Sequence, residues 1–172
     1  DKTKTAMGAR LLRSMIEQPL IDRVKIEERY DALTSLTKQA IAREEIREYL
    51  NPVYDLERLM TKVSYQTINP RDMIALKVSL QWLPPIKTIL EECGDSLLSG
   101  LREDLDTLED VAGLLEDAIL EEPPIAVKEG GIIKDGFSEQ IDQLKRAKTD
   151  GKQWLMQLEE RERRANGIKT LK

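Results

Sequence analysis

Aliphatic side chains recur every three or four residues along most of this chain, and that spacing constrains its fold more than any other feature. The first run predicts a helix from Thr5 to Gln18 that ends before Pro19. Its apolar stripe consists of Met7, Leu11, Leu12, Met15 and Ile16. The chain is 40% hydrophobic and 34% charged but only 4% aromatic, which is typical of helices packed through aliphatic stripes. The predicted fold is therefore all-α.

Capping residues and prolines divide the rest of the first half into further helices. Asp22 is placed to cap a second helix, and a third spans residues 40–50. Asn51-Pro52 and Asn69-Pro70 each put an amide cap before a proline, which is favoured at the first helical position. We therefore predict that each pair starts a helix.

The second half alternates helical patterns with breaks. Pro84-Pro85 interrupts the pattern, and a short helix then follows to about Cys93. Residues 96–121 are helical again, with two internal glycines that favour an interruption. Residues 125–137 form the non-helical stretch, because short β-branched runs flank glycine pairs there. We predict a small two-stranded element or an ordered loop over 125–137.

The longest predicted helix follows a capping Ser138 and runs to Asn166, which gives roughly 43 Å at 1.5 Å per residue. Its narrow seam resembles a coiled coil and is interrupted by Lys148, Gly151 and Glu162. A helix of this kind needs a partner, and no equally long partner precedes it. The chain starts without a methionine and stops in mid-pattern, so we expect it to be part of a longer protein. The seam positions are Ile141, Leu144, Lys148, Gly151, Leu155, Leu158, Glu162 and Ala165.

The polar composition argues against catalysis within this chain. There is no histidine, which removes the commonest general base and metal ligand. The single cysteine, Cys93, cannot form an internal disulfide or a zinc site. A net charge of −5 argues against a main DNA-gripping surface, since such surfaces are basic. We predict no catalytic, cofactor-binding or metal-binding residue here, no membrane span, and a reducing cytosol as the compartment.

A charge-dense run near the end of the last helix holds the candidate DNA-contacting residues. They could form a phosphate-facing patch beside neighbouring structure. The interleaved Glu159, Glu160 and Glu162 favour a solvated helix with i, i+4 ion pairs instead. The candidates, all weak, are Arg161, Arg163, Arg164, Lys169 and Lys172.

Other conspicuous residues have structural interpretations. Gly130-Gly131 lacks the Lys-Ser/Thr ending of a phosphate loop and predicts a turn. Glu91-Glu92 and Glu121-Glu122 are expected on solvated helix faces rather than as acid–base pairs. Trp82 lies among apolar residues and is expected in the core, whereas Trp154 is expected to pack against the missing partner helix.

Four blocks of the sequence, in this order, resemble one protein family. They are TAMGARLLRSMIEQPLIDRVKIEERYDAL (5–33), DLERLMTKVSYQTINPRDMIALKVSLQWLP (55–84), AILEEPPIAVKEGGIIKDGFSEQIDQL (118–144) and LEERERRANGIKTLK (158–172). The ordered motifs MG-x-R-LLR, DLER, NPRD, EGGII-x-x-G and GIK-x-LK are similar to those of the bacterial mismatch-repair family MutS. They correspond to its core and lever region, domain III, before the clamp insertion. The departures are small: Ser14, Met15, Phe137 and Asn166 replace residues common in the family.

The resemblance implies a division of the chain and a mechanical role. Residues 1–121 would be helical core, 122–137 a loop or small hairpin, 138–166 a long lever helix, and 167–172 the start of the clamp connection. The lever would link a clamp on mismatched DNA to the ATPase of the whole protein, without catalysis in this part. The family's Phe-x-Glu mismatch motif, GxxxxGK[ST] phosphate loop and metal-holding carboxylates are absent from this sequence. No binding or catalytic residue is therefore carried over.

For the whole protein, the resemblance implies a DNA-dependent ATPase that uses ATP and Mg. Its partners would be mismatched double-stranded DNA, a second MutS subunit, and the remaining lever, clamp and ATPase regions of the same chain. Its location would be the bacterial cytoplasm, at the nucleoid, without a membrane. Two other interpretations stay open: a MutS relative that acts in recombination, and an autonomous helical protein-interaction module. An enzyme is disfavoured, because it would need converging titratable groups.

Overall fold

The structure, a computed structural model, describes residues 2–167, and its regular elements are helices, as predicted. By contacts the chain forms two compact units, one ending at Ile132 and the other beginning at Ile133. Within the described residues, no helix combines the length and apolar character that crossing a bilayer requires. The helices are α1 (Ala6–Glu17), α2 (Arg23–Lys38), α3 (Ala40–Leu50), α4 (Leu56–Ser64), α5 (Pro70–Gln81), α6 (Leu83–Glu92), α7 (Ser96–Asp104), α8 (Glu109–Ala118) and α9 (Glu139–Asn166).

Side-chain caps start several of these helices, and the caps at Asp22 and Asn69 are the ones that the sequence predicted. The Thr5 hydroxyl accepts the Gly8 N–H at 3.0 Å, and the Asp22 carboxylate accepts the Val24 N–H at 2.9 Å. Asn69 and Asp72 form a reciprocal capping box, with N···O distances of 2.9 and 3.3 Å. Each cap satisfies backbone donors that the first helical turn leaves without a partner.

The predicted helix start at Asn51-Pro52 is wrong. Asn51 keeps helical dihedrals at the end of α3, whereas a capping residue needs an extended backbone. Its side-chain amide donates to Glu48 at 3.1 Å instead. The next helix, α4, begins only at Leu56, where Asp55 accepts the Arg58 N–H at 3.3 Å.

The helical pattern over 96–121 is interrupted, but not at a glycine. Helix α7 ends at Asp104. The side-chain Nζ of Lys87, in α6, donates to the carbonyl of the next residue, Leu105, at 2.6 Å. Leu108 then takes a left-handed conformation, with φ at 48°, immediately before α8. A long-range hydrogen bond therefore captures a carbonyl that a continuing helix would have used internally.

The first unit packs around two apolar clusters. In the first cluster, Ile89 and Cys93 of the α6 end meet residues of α2, α3 and α7. In the second, Leu76 and Leu80 of α5 meet Leu59 of α4 and Ala112 of α8. Trp82 joins α5 to α6 and lies against the ring of Tyr49, with 5.4 Å between centroids; it is half-buried, so it packs at the edge of the core rather than inside it. The prolines that interrupt the pattern, Pro84-Pro85, occupy the first turn of α6.

The stretch predicted as a loop or small hairpin is a loop in the residues that the structure describes. Val127–Glu129 form one turn of 3-10 helix, which cannot pair as a strand. Gly130 and Gly131 follow with φ of 74° and 68°, a region of backbone conformation that favours glycine. The Leu120 N–H donates to the Ile132 carbonyl at 2.9 Å. The β-branched residues at 125–127 therefore do not form a ladder with those at 132–133.

Candidate functional site

The second unit consists mainly of α9, and this helix is where the sequence placed its candidate residues. It has 28 residues, which corresponds to roughly 42 Å. Gly167 ends it in a left-handed conformation, as predicted. Ser138 occupies the position before the first turn, but its side chain forms no cap hydrogen bond, so the predicted capping role is not observed.

Contacts with the preceding loop hold the first turns of α9. Lys145 Nζ donates to the Ile133 carbonyl at 2.7 Å and to Asp135 at 2.6 Å. The same ammonium keeps the pKa of Asp135 below its ordinary value. The Gly136 N–H donates to the Asp142 carboxylate, six residues later in the chain, at 2.9 Å. The base of the helix is thus fixed by polar contacts rather than by burial.

The predicted apolar seam of α9 is largely uncovered. None of the helix residues is buried. At the seam positions, Leu144 is 70% exposed and Leu155 is 58% exposed, whereas Ile141 and Leu158 are half-buried; Trp154, beside the seam, is 61% exposed. Leu144 and Leu155 lie on the same side of the helix, and exposed apolar side chains in this arrangement are typical of a surface that another element covers.

The charged run near the end of α9 forms ion pairs along the helix. Arg163 pairs with Glu159 and Arg164 pairs with Glu160, both at i, i+4 spacing. Within residues 2–167, Arg161 forms no such ion pair. These pairs agree with the interpretation of a solvated helix. Each glutamate neutralises an arginine whose positive charge would otherwise attract a DNA phosphate. The remaining candidates, Lys169 and Lys172, lie outside the described residues.

The other features fall into structural roles. Glu91 pairs with Arg102 at 3.2 Å, and Glu121 and Glu122 are exposed. The residue before α7, Asp95, caps that helix by accepting the Leu97 N–H at 2.9 Å. In the part of the chain that the structure describes, no three acidic, histidine or cysteine residues cluster as a metal site would require.

Sequence reasoning missed a cluster that joins two of the quoted motifs. Arg10, from MG-x-R, donates to both carboxylate oxygens of Asp55, from DLER, at 2.7 and 2.8 Å, and also to Glu57. Asp55 at the same time caps α4. The guanidinium holds the pKa of Asp55 below its usual range, and both carboxylates raise the pKa of Arg10. The sequence did contain both halves of the cluster, a basic residue in the first motif and acidic residues in the second, but nothing in their spacing pairs them.

Helix α1 contacts α4 through this cluster. None of its residues is buried, and Leu11, Leu12 and Ile16 are exposed. The Arg10 contacts therefore connect α1 to α4 without a buried apolar interface on α1. Like the seam of α9, this apolar stripe is available to structure outside the chain described here.

Comparison with known proteins places these observations in a family. The family model "MutS domain III" matches residues 1–169. Proteins named DNA mismatch repair protein MutS align over all 172 residues: 56% identical in Lachnoclostridium phytofermentans, 49% in Halothermothrix orenii and 48% in Staphylococcus carnosus. The chain spans only 18–20% of the length of these relatives.

Proposed function

Because this chain belongs to the MutS domain III family, we propose that it serves as the core and first lever helix of a DNA mismatch-repair protein. In this proposal residues 1–121 are the core, 138–166 the lever and 167–172 the start of the connection to a DNA-holding clamp. The chain itself performs no catalysis. Its role is to transmit a change between a DNA-binding region and an ATPase that lie elsewhere in the whole protein.

The observation that carries the proposal is the uncovered apolar seam on a 28-residue helix. All interior backbone hydrogen bonds of a helix are internal, so α9 can keep its length while one end is displaced. A stiff helix is not sufficient for allosteric coupling. Coupling between the DNA-binding region and the ATPase also needs two conformations whose relative stability depends on the contacts at both ends of the helix. The exposed seam supports a second helix alongside α9, which would supply an interface able to hold such arrangements.

For the whole protein we propose the partners that the resemblance to MutS implies. These are mismatched double-stranded DNA, a second subunit, and the remaining lever, clamp and ATPase regions, with ATP and Mg used by the ATPase. The proposed location is the bacterial cytoplasm. The i, i+4 pairs of Arg163 and Arg164 support leaving DNA contact to regions outside this chain.

The test interrupts the lever without touching its seam. Gln153 is exposed and lies on the side of α9 away from the seam. In the full-length protein that contains this chain, Gln153→Pro removes a helix hydrogen bond and costs about 3 kcal/mol of helix stability, whereas Gln153→Ala keeps the rod intact. We expect Gln153→Pro to keep mismatch binding and basal ATP hydrolysis but to lose the effect of DNA on ATP turnover.

A second variant guards against general misfolding. Gln153→Gly weakens the same turn by only about 1 kcal/mol, so it should reduce the coupling partially. Full coupling in a folded Gln153→Pro protein, with Gln153→Ala as the reference, would contradict the lever role.

The two alternatives predict different behaviour. An autonomous interaction module would show no ATPase phenotype from any Gln153 substitution. A recombination protein would show no preference for mismatched over matched duplex. The names of the relatives support mismatch repair over recombination.

A further inference from the structure

The middle of α9 carries a one-sided distribution of charge. Lys148 occupies the seam itself, and Lys145 and Lys152 flank it on one side. At about 100° per residue, Arg146 and Asp150 fall on the opposite side of the helix. Over residues 143–157, the seam and its flanks therefore present three lysines and no carboxylate.

These lysines differ in whether an ion pair compensates their charge. Lys145 is paired with Asp135 at 2.6 Å. Lys148 and Lys152 are exposed, and within residues 2–167 neither forms an ion pair. They lie beside the exposed apolar side chains of Leu144 and Leu155. A helix that covers those leucines would also desolvate the neighbouring ammonium groups, which is unfavourable without an opposite charge.

We propose that the helix pairing with α9 is acidic where it faces residues 145–152. This inference rests on the proposed lever function, whose seam it uses. Charged residues on and beside a helix seam select the partner and its register, because unlike charges stabilise the pair and like charges oppose it. Gly151 also affects which partner fits. No atom lies within 4 Å of the position that a side chain would occupy at Gly151, so a large residue of the partner helix fits there.

A second copy of α9 is a poor occupant of this surface. Parallel pairing in register would bring Lys148 of one copy against Lys148 of the other. Antiparallel pairing that aligns Leu144 with Leu155 would put Lys145 and Lys152 of opposite copies on the same flank. In both arrangements the like charges would be desolvated together. DNA phosphates are also acidic, but they would leave the apolar side chains uncovered.

The experiment measures peptide binding to the 172-residue chain through the fluorescence of Trp154, which lies next to the seam. Trp82→Phe removes the other tryptophan, so that the signal comes from Trp154. Two synthetic helices of the same length as α9 have leucine at the seam positions. One has glutamate and the other lysine at the positions that face 145–152. A third peptide has the composition of the glutamate peptide in a scrambled order without a seam.

We expect the glutamate peptide to bind roughly tenfold more tightly than the lysine peptide at low salt, with the difference shrinking as salt rises. Lys148→Glu should abolish most of this preference, because the new carboxylate then offsets the charge of Lys152 on the surface that the peptide covers. Arg146→Glu makes the same charge change on the far side of the helix and should leave the preference in place.

Several results would overturn the inference. Equal affinity for the glutamate and lysine peptides would remove the charge preference while leaving the lever proposal intact. Binding of the scrambled peptide as tightly as the ordered one would show that the seam is irrelevant. Displacement of the peptide by duplex DNA would assign the lysines to nucleic acid. Failure of both ordered peptides to bind, with dimerisation seen by sedimentation, would assign the seam to a second copy. The Gln153 variants test the lever in the whole protein independently of all these results.

Discussion

The packing of α5 against its neighbours gives the sharpest stability prediction. Leu80 is 3% exposed and lies in the cluster with Leu59, Leu76 and Ala112. Leu80→Ala deletes three carbon groups, each worth about 0.8 kcal/mol of burial, or about 2.4 kcal/mol together. The cavity left behind adds to this value, so we expect the free energy of unfolding to fall by about 3 kcal/mol.

Leu114→Ala provides a matched control in α8. Leu114 is 57% exposed, so the same deletion removes less than half as much burial. We expect a loss of about 1 kcal/mol or less. Both changes are leucine to alanine within a helix, so intrinsic helix propensity contributes equally to each.

Urea denaturation followed by tryptophan fluorescence measures the difference. A Trp154→Phe background leaves Trp82, which contacts Tyr49 in the first unit, as the reporter. With a urea slope of about 2 kcal/mol per molar, Leu80→Ala should lower the midpoint by about 1.5 M and Leu114→Ala by about 0.5 M. Equal midpoint shifts for the two variants would refute the assignment of Leu80 to the core.

Three further predictions concern caps, charge and burial. Asn69→Ala should lower the free energy of unfolding by about 1 kcal/mol, whereas Asn51→Ala should change it little; equal losses in urea melts would contradict the cap assignments. Asp55 has a lowered pKa in the folded state, so its stabilising contribution is present above about pH 4 and is lost as the pH falls through the folded value. In an NMR titration Arg10→Gln should raise that pKa, and an unchanged value would rule out the guanidinium as the cause. Cys93 is 2% exposed and burial raises the pKa of its thiol, so a disulfide reagent should modify it only after unfolding; rapid modification of the native chain would contradict this.

Part of the candidate site could be predicted because it depends on spacing along one helix. The ion pairs of Arg163 and Arg164 follow from i, i+4 separation, and the open seam of α9 follows from its heptad pattern. The contact between Arg10 and Asp55 could not be predicted in this way, because 45 residues separate them. Only the packing of α1 near α4 brings these two charges together.

The sequence by itself determined the helical class and the helix starts that depend on a local cap. Asp22 and Asn69 cap helices because each needs only a backbone N–H two or three residues ahead. Tertiary structure decided the boundary at Leu105. At Leu105 the deciding contact is the Lys87 side chain, 18 residues earlier, which takes the carbonyl. A cap is a local hydrogen bond that sequence spacing encodes, whereas a break made by a distant partner exists only after the chain has folded.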